Sequence, residues 1–131
     1  MYTPFVCIAL LALLVFGLGF WVSMQRGKTR TIYGYTEDPA DPLYKAIRAH
    51  NNTVEFAPML ALLIYLLTIT PQAAWVSWVM VIATVCRYLT AIGLIVPKSM
   101  DKPNPMRAVG ALGTYLSGFA LSVALLLTAF N

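Results

Sequence analysis

Glu55 and Arg87 are ionisable residues set inside long apolar stretches, where a charge is costly enough that it is usually kept for a function. The polar residues around Glu55 are ordered. At about 100° per residue along a helix, Arg48, Asn51, Asn52 and Glu55 share one stripe within roughly 60° of Arg48, with Lys45 at its head and His50 pointing the other way. At about 1.5 Å per residue, Glu55 lies roughly 20 Å from the start of its helix and Arg87 roughly 14 Å from the end of its own. Guanidinium and amide groups above a carboxylate suit a zwitterionic, polycarboxylated small molecule. Arginine takes a carboxylate bidentately, and Glu55 can take an ammonium. Arg107 adds a further guanidinium in the first turn of a helix opened by Pro105, where the backbone dipole already favours an anion.

A plainer alternative is a Glu55–Arg87 ion pair that only ties two helices together. Buried pairs contribute little net stability, because desolvation is expensive. Such a pair would also leave Arg48, Asn51 and Asn52 above it unexplained. Cys7 and Cys86 stand far apart in apolar sequence with no ligand partner nearby, so both are expected to be reduced, and no metal site is expected.

The elements that must position these residues follow from composition. Of 131 residues, 60% are apolar and 11% charged, against roughly 45–50% and 25% in a soluble domain. A chain this small could not hide so much apolar surface from water. That excludes a cytosolic enzyme, a disordered segment and a secreted disulfide scaffold, and leaves a small polytopic membrane protein. A spanning helix needs about 20 mostly apolar residues, and residues 5–24 supply the first. The four residues before it carry no basic side chain and no Ala-x-Ala-like site follows, so this stretch is expected to be a retained helix and not a signal peptide.

Residues 26–41 read as a polar connection. Asp41 is the natural N-cap of a second helix over 42–69, with Pro42 at its first position. Pro58 removes the backbone bond to the Val54 carbonyl and is expected to kink that helix. A tight turn at 70–72 leads into a third helix, 73–96, antiparallel to the second. A loop at 97–104 leads into a fourth, 105–130. The expected architecture is all-α: one integral membrane four-helix bundle over residues 1–131.

Four spans place both termini on one side. The first connection and the start of the second helix carry Arg26, Lys28, Arg30, Lys45 and Arg48, and the connection between the third and fourth helices carries Lys98, Lys102 and Arg107. The opposite side has neither Lys nor Arg, so the charged loops are expected to face the cytoplasm. The net charge of +4 therefore reflects membrane topology, and no nucleic-acid partner is implied. Along the fourth helix, Gly110, Thr114, Gly118 and Ser122 recur at four-residue intervals, with Gly113 and Ser117 beside them. Small residues in this register allow close helix approach, within the chain or between subunits.

Arg48-Ala49-His50-Asn51-Asn52-Thr53-Val54-Glu55 resembles the Arg-Ala-His-x-Asn-x-x-Glu signature of the MAPEG family, the membrane-associated proteins of eicosanoid and glutathione metabolism. Arg87 with Ala91-Ile92-Gly93, and Pro105-Met106-Arg107, are similar to that family's later motifs in order and spacing, so the likeness covers the whole chain. The resemblance implies a homotrimer with glutathione sites between neighbouring subunits, open to the cytoplasm. Arg48, Asn52 and Glu55 would hold glutathione, with Asn51 on the same stripe. Arg87 would line the pocket and Arg107 would stand beside the sulfur. A cation there lowers a thiol pKa from its usual value near 8.5, supplying thiolate at neutral pH.

The resemblance implies a membrane-bound glutathione-dependent transferase or peroxidase, acting on hydrophobic electrophiles or lipid hydroperoxides. The chain departs from the family pattern at Asn51, Thr90 and Leu94, where many members carry Arg, His and Tyr. Tyr88 and Tyr115 are alternative sources of a hydroxyl. A non-catalytic lipid-binding or scaffold protein on the same fold is the competing reading. A small multidrug-transporter subunit is disfavoured, because the first helix lacks the carboxylate such transporters use.

Overall fold

In the computed structural model, which describes residues 2–130, the first helix outlasts its apolar run. Helix α1 spans Thr3–Thr29, a turn and more beyond the expected end near Met24. Gln25, Arg26 and Lys28 are good helix formers, and Arg26 supports the exit. Its carbonyl accepts the Thr31 N–H at 3.1 Å, and its guanidinium donates forward to the Gly34 carbonyl at 2.9 Å. Arg30 closes the helix in the left-handed region, with φ 53°.

Helix α2, Pro42–Thr68, begins as its sequence dictates, with the Asp41 carboxylate accepting the Tyr44 N–H at 2.7 Å. It runs through Pro58 as one continuous helix. Helix α3 spans Ala74–Ile95 and α4 spans Pro105–Thr128, the latter capped by Asn104, whose side chain accepts the Arg107 N–H at 3.0 Å. No strand occurs among the described residues.

Helices α1, α3 and α4 are long and apolar enough to cross a membrane. Helix α2 matches α1 in length, but the polar stripe in its first half lowers its apolar content. The helices associate as two close pairs, α1 with α2 and α3 with α4, joined through α2 and α3. The α3–α4 contact depends on glycine. A Cβ on Gly110 would lie 2.6 Å from the Thr90 backbone nitrogen and 2.7 Å from the Cys86 carbonyl, and one on Gly93 would lie 2.6 Å from the Arg107 nitrogen. The small residues at Gly110 and Gly113 therefore serve packing within the chain.

Two hydrogen-bonded ties bring both charged connections to one end of the bundle. The Lys45 ammonium donates to the Ile95 and Pro97 carbonyls, at 3.1 and 2.8 Å, capping the end of α3 with the start of α2. The Met100 N–H donates to the Pro39 carbonyl at 2.9 Å, stitching one connection to the other. Two apolar cores fill the interior. One, at the charged end, is built on Leu14, Leu18, Ala49, Ala91 and Leu94. The larger one includes Leu11, Leu60, Ile64, Met80 and Leu121.

Candidate functional site

The charged end of the bundle holds an open cleft of about 740 Å³. Helix α2 contributes Tyr44, Arg48 and Asn52, α3 contributes Thr90 and Leu94, and α4 contributes Arg107, Ala108 and Ala111. The stitched connections add Glu37, Pro39, Met100 and Asp101. Arg48 and Arg107, distant in sequence, thus face one volume. The Met100 carbonyl accepts the Arg107 guanidinium at 2.8 Å, so the same residue that joins the connections also holds this side chain.

Arg87 stands behind the cleft, 1% exposed. One of its terminal nitrogens donates to the Asn52 side-chain oxygen at 2.7 Å and to the Asn52 carbonyl at 3.0 Å; the other reaches the Thr114 hydroxyl at 3.5 Å. Its guanidinium carbon lies 5.1 Å from the centre of the Phe56 ring. An arginine can only donate. The contact therefore fixes the Asn52 oxygen toward Arg87 and leaves the amide NH₂ as the group available to a ligand, which makes Asn52 a committed donor. Arg87 Nε, though buried, has no hydrogen-bond partner.

Glu55 lies elsewhere. It is exposed on the bundle surface and lines a second groove of about 330 Å³ between α2 and α4, with Phe56, Met59, Leu60, Tyr115 and Phe119. It is seven residues past Arg48, or roughly 10 Å along the helix, and a small cavity lined by Asn52, Arg87 and Thr114 lies between the cleft and this groove. The hydrogen bonds of Arg87 go to Asn52 and Thr114, not to Glu55. Asn51 is exposed on α2 outside the cleft lining.

The remaining candidates separate cleanly. His50 packs against α1, its Nε2 3.3 Å from where a Cβ on Gly19 would sit. The Tyr88 hydroxyl donates to the Leu10 carbonyl at 2.9 Å, tying α3 to α1 away from the cleft. Tyr115 meets Phe56 edge-on in the second groove, with centroids 5.5 Å apart. Cys7 and Cys86 are buried free thiols. Thr90 lines the cleft, but its hydroxyl donates to the Cys86 carbonyl at 2.9 Å.

Tyr44, Glu37 and Asp101 were passed over in the sequence. The angular argument that selected Arg48 and Asn52 places Tyr44 about 40° from Arg48, on the same stripe. Glu37 and Asp101 lie in irregular connections, where no periodicity marks them.

A family model for the MAPEG family matches residues 4–127, nearly the whole chain. The protein belongs to the MAPEG family. It is thus a membrane protein of the group associated with glutathione and eicosanoid metabolism. No curated protein and no solved structure matches the chain individually. The MAPEG helix-two motif is the stripe that lines the cleft at Arg48 and Asn52, and Pro105-Met106-Arg107 delivers the guanidinium across from it.

Proposed function

We propose that this MAPEG protein is a membrane-bound glutathione-dependent transferase or peroxidase that acts on hydrophobic electrophiles or lipid hydroperoxides. The observation that carries this reading is the meeting of Arg48, Asn52 and Arg107 in one cleft at the charged end of a lipid-embedded bundle. Arg48 and the Asn52 amide take carboxylates of glutathione, Arg87 acts through Asn52, and Arg107 stands beside the sulfur. The cation holds the thiol as thiolate. With an electrophilic carbon, a sulfur–carbon bond forms as the leaving group departs. With a hydroperoxide, sulfur takes the terminal oxygen, the O–O bond breaks and the lipid leaves as an alcohol after gaining a proton. A second glutathione then displaces water from the sulfenic acid to give the disulfide.

In this reading the charged loops face the cytoplasm, both termini lie on the opposite side, and the molecule assembles as a homotrimer. A carboxylate at the depth of Glu55 does not face acyl chains without cover. Glu55 and Asn51, which lie outside the cleft of a single chain, complete the glutathione site where a neighbouring copy closes over them.

The test is a glutathione titration of detergent-purified protein, following thiolate absorbance and turnover with a general aryl halide. Thiolate forms in the wild type, and Arg107→Ala loses it by about tenfold for each unit by which the thiol pKa rises. No thiolate and no turnover in the wild type would overturn the reading. The second reading, a lipid-binding or scaffold protein, is favoured by Thr90 and Leu94, which give the cleft a self-satisfied hydroxyl and an apolar side chain. Lipid binding without glutathione binding would select it.

A further inference from the structure

Ile32 and Tyr33, in the connection between α1 and α2, are 96% and 95% exposed, more than any other large apolar side chain among the described residues, those on the outward faces of the helices included. They do not sit on a loose loop. Arg30 ends α1 in the left-handed region, the Thr31 N–H returns to the Arg26 carbonyl at 3.1 Å, and the Arg26 guanidinium donates to the Thr31 and Gly34 carbonyls at 3.3 and 2.9 Å. Residues 31–34 are therefore folded back within one side chain's reach of Arg26. Farther along, Tyr35 stacks on Tyr44 with ring centroids 4.9 Å apart, and the Pro39 carbonyl accepts the Met100 N–H, so the strap is held at both ends.

The height of this strap follows from the helix that carries it. Arg26 is two residues, or roughly 3 Å, past Met24 at the end of the apolar run of α1, so Ile32 and Tyr33 are tethered where hydrocarbon gives way to headgroups. The Lys28 ammonium marks the same level, since it lies 5.5 Å from the centre of the Trp21 ring, back toward the apolar run. Amphipathic rings and long cationic side chains collect at that boundary. Arg26, Lys28 and Arg30 are joined by no acid before Glu37, and Lys28 and Arg30 are exposed. The next acids in sequence are turned to other work: Glu37 lines the cleft, and the Asp38 carboxylate accepts the Ala40 N–H at 2.9 Å. An apolar pair beside exposed cations matches an anionic lipid surface, which offers a boundary for the side chains and phosphates for the charges. We propose that residues 28–33 are an interfacial anchor, in which Ile32 and Tyr33 enter the headgroup layer of the bilayer that the helices cross while Lys28 and Arg30 pair with anionic phospholipid phosphates. This anchor is independent of what occupies the cleft.

The test places a nitroxide at Ile32→Cys. Cys7 and Cys86 are buried, so the added thiol takes the label. The full chain is reconstituted into nanodiscs of phosphatidylcholine alone or of phosphatidylcholine mixed with phosphatidylglycerol. Collisions of the label with lipid-dissolved oxygen and with a water-soluble nickel chelate are then read by electron paramagnetic resonance. In the mixed nanodiscs the label favours oxygen, and in phosphatidylcholine it is more open to nickel. Adding Lys28→Gln and Arg30→Gln shifts the docking equilibrium toward water by roughly thirtyfold, the scale of two cations at an anionic surface, with helix content unchanged by circular dichroism. High salt acts in the same direction on the unsubstituted charges. A label equally open to nickel in both nanodiscs overturns the proposal. So does equal shielding from nickel in both that the charge variant leaves unchanged, because lipid charge would then play no part. Shielding from oxygen and nickel alike in both nanodiscs overturns it as well and shows that a protein surface, such as a neighbouring copy, covers the strap.

Discussion

Helix α4 presses Gly110 and Gly113 onto α3, yet along α2 it leaves a groove of about 330 Å³ lined by Tyr115, Gly118 and Phe119. Both faces are drawn from the same small-residue stripe, and they do opposite work. On the α3 side, loss of the Cβ lets backbone meet backbone. On the α2 side, a Cβ at Gly118 would find its nearest neighbour, Leu60 Cδ2, at 4.0 Å. A close seam on one side and an open seam on the other are what one rigid helix produces when it is drawn against a single partner. The cleft at the charged end and the groove below it both lie along the open seam.

The largest expected effect comes from breaking the close seam. In Gly110→Ala, the new methyl would fall within 2.7 Å of backbone atoms at Thr90 and Cys86, which cannot swing aside as a side-chain tip could. Overpacking of this kind costs roughly 3 kcal/mol. A lowered thermal midpoint in detergent, together with reduced recovery of folded protein, checks it. An unchanged midpoint would mean that α3 and α4 are not in this contact.

Next in size is Arg87→Met, which keeps much of the side chain's bulk but removes its donors to Asn52 and Thr114. The Asn52 oxygen loses its fixed donor, and the amide becomes free to turn either end toward a ligand. Loss of one oriented donor is worth about tenfold in glutathione affinity, with helix content unchanged by circular dichroism. Equal weakening in Arg87→Lys would show that the planar fork matters and not the charge alone.

A smaller effect is expected at Lys45, which the sequence places at the head of the ligand stripe but which caps α3 through the Ile95 and Pro97 carbonyls. Lys45→Met should cost about 1–2 kcal/mol of stability, seen as a lower thermal midpoint, while glutathione affinity stays within about twofold.

These contrasts show what was legible beforehand. The helices were, because length, apolar content, the Asp41-Pro42 start and the Pro105 start are local properties. The Arg48–Asn52 stripe and the turn of His50 away from it were legible as well, since helical periodicity sets them. The end of α1 was not, because it depends on Arg26 bonding forward to Gly34. Nor was the partner of Arg87. Depth along a helix axis matches Arg87 with Glu55, but the guanidinium's hydrogen bonds go to Asn52 and Thr114, a choice that depth alone does not specify. The acids of the cleft rim were hidden for a related reason, as their position is set by a backbone bond between two connections about 60 residues apart, which no local pattern encodes.

The smallest expected effect carries the sharpest form of the comparison. Gly118→Ala makes the same chemical change as Gly110→Ala, eight residues along the same helix, but on the open seam. Its methyl meets only ordinary van der Waals contact at Leu60, and alanine is favoured over glycine in a helix by up to about 1 kcal/mol. The midpoint should therefore hold or rise slightly in dilute detergent. Assembly makes this informative, because a neighbouring copy whose helix filled the groove at Gly118 would turn the methyl into a clash. Loss of stability confined to conditions that preserve the oligomer would place a subunit contact on this seam. Indifference in both conditions would leave the groove open for a hydrophobic substrate.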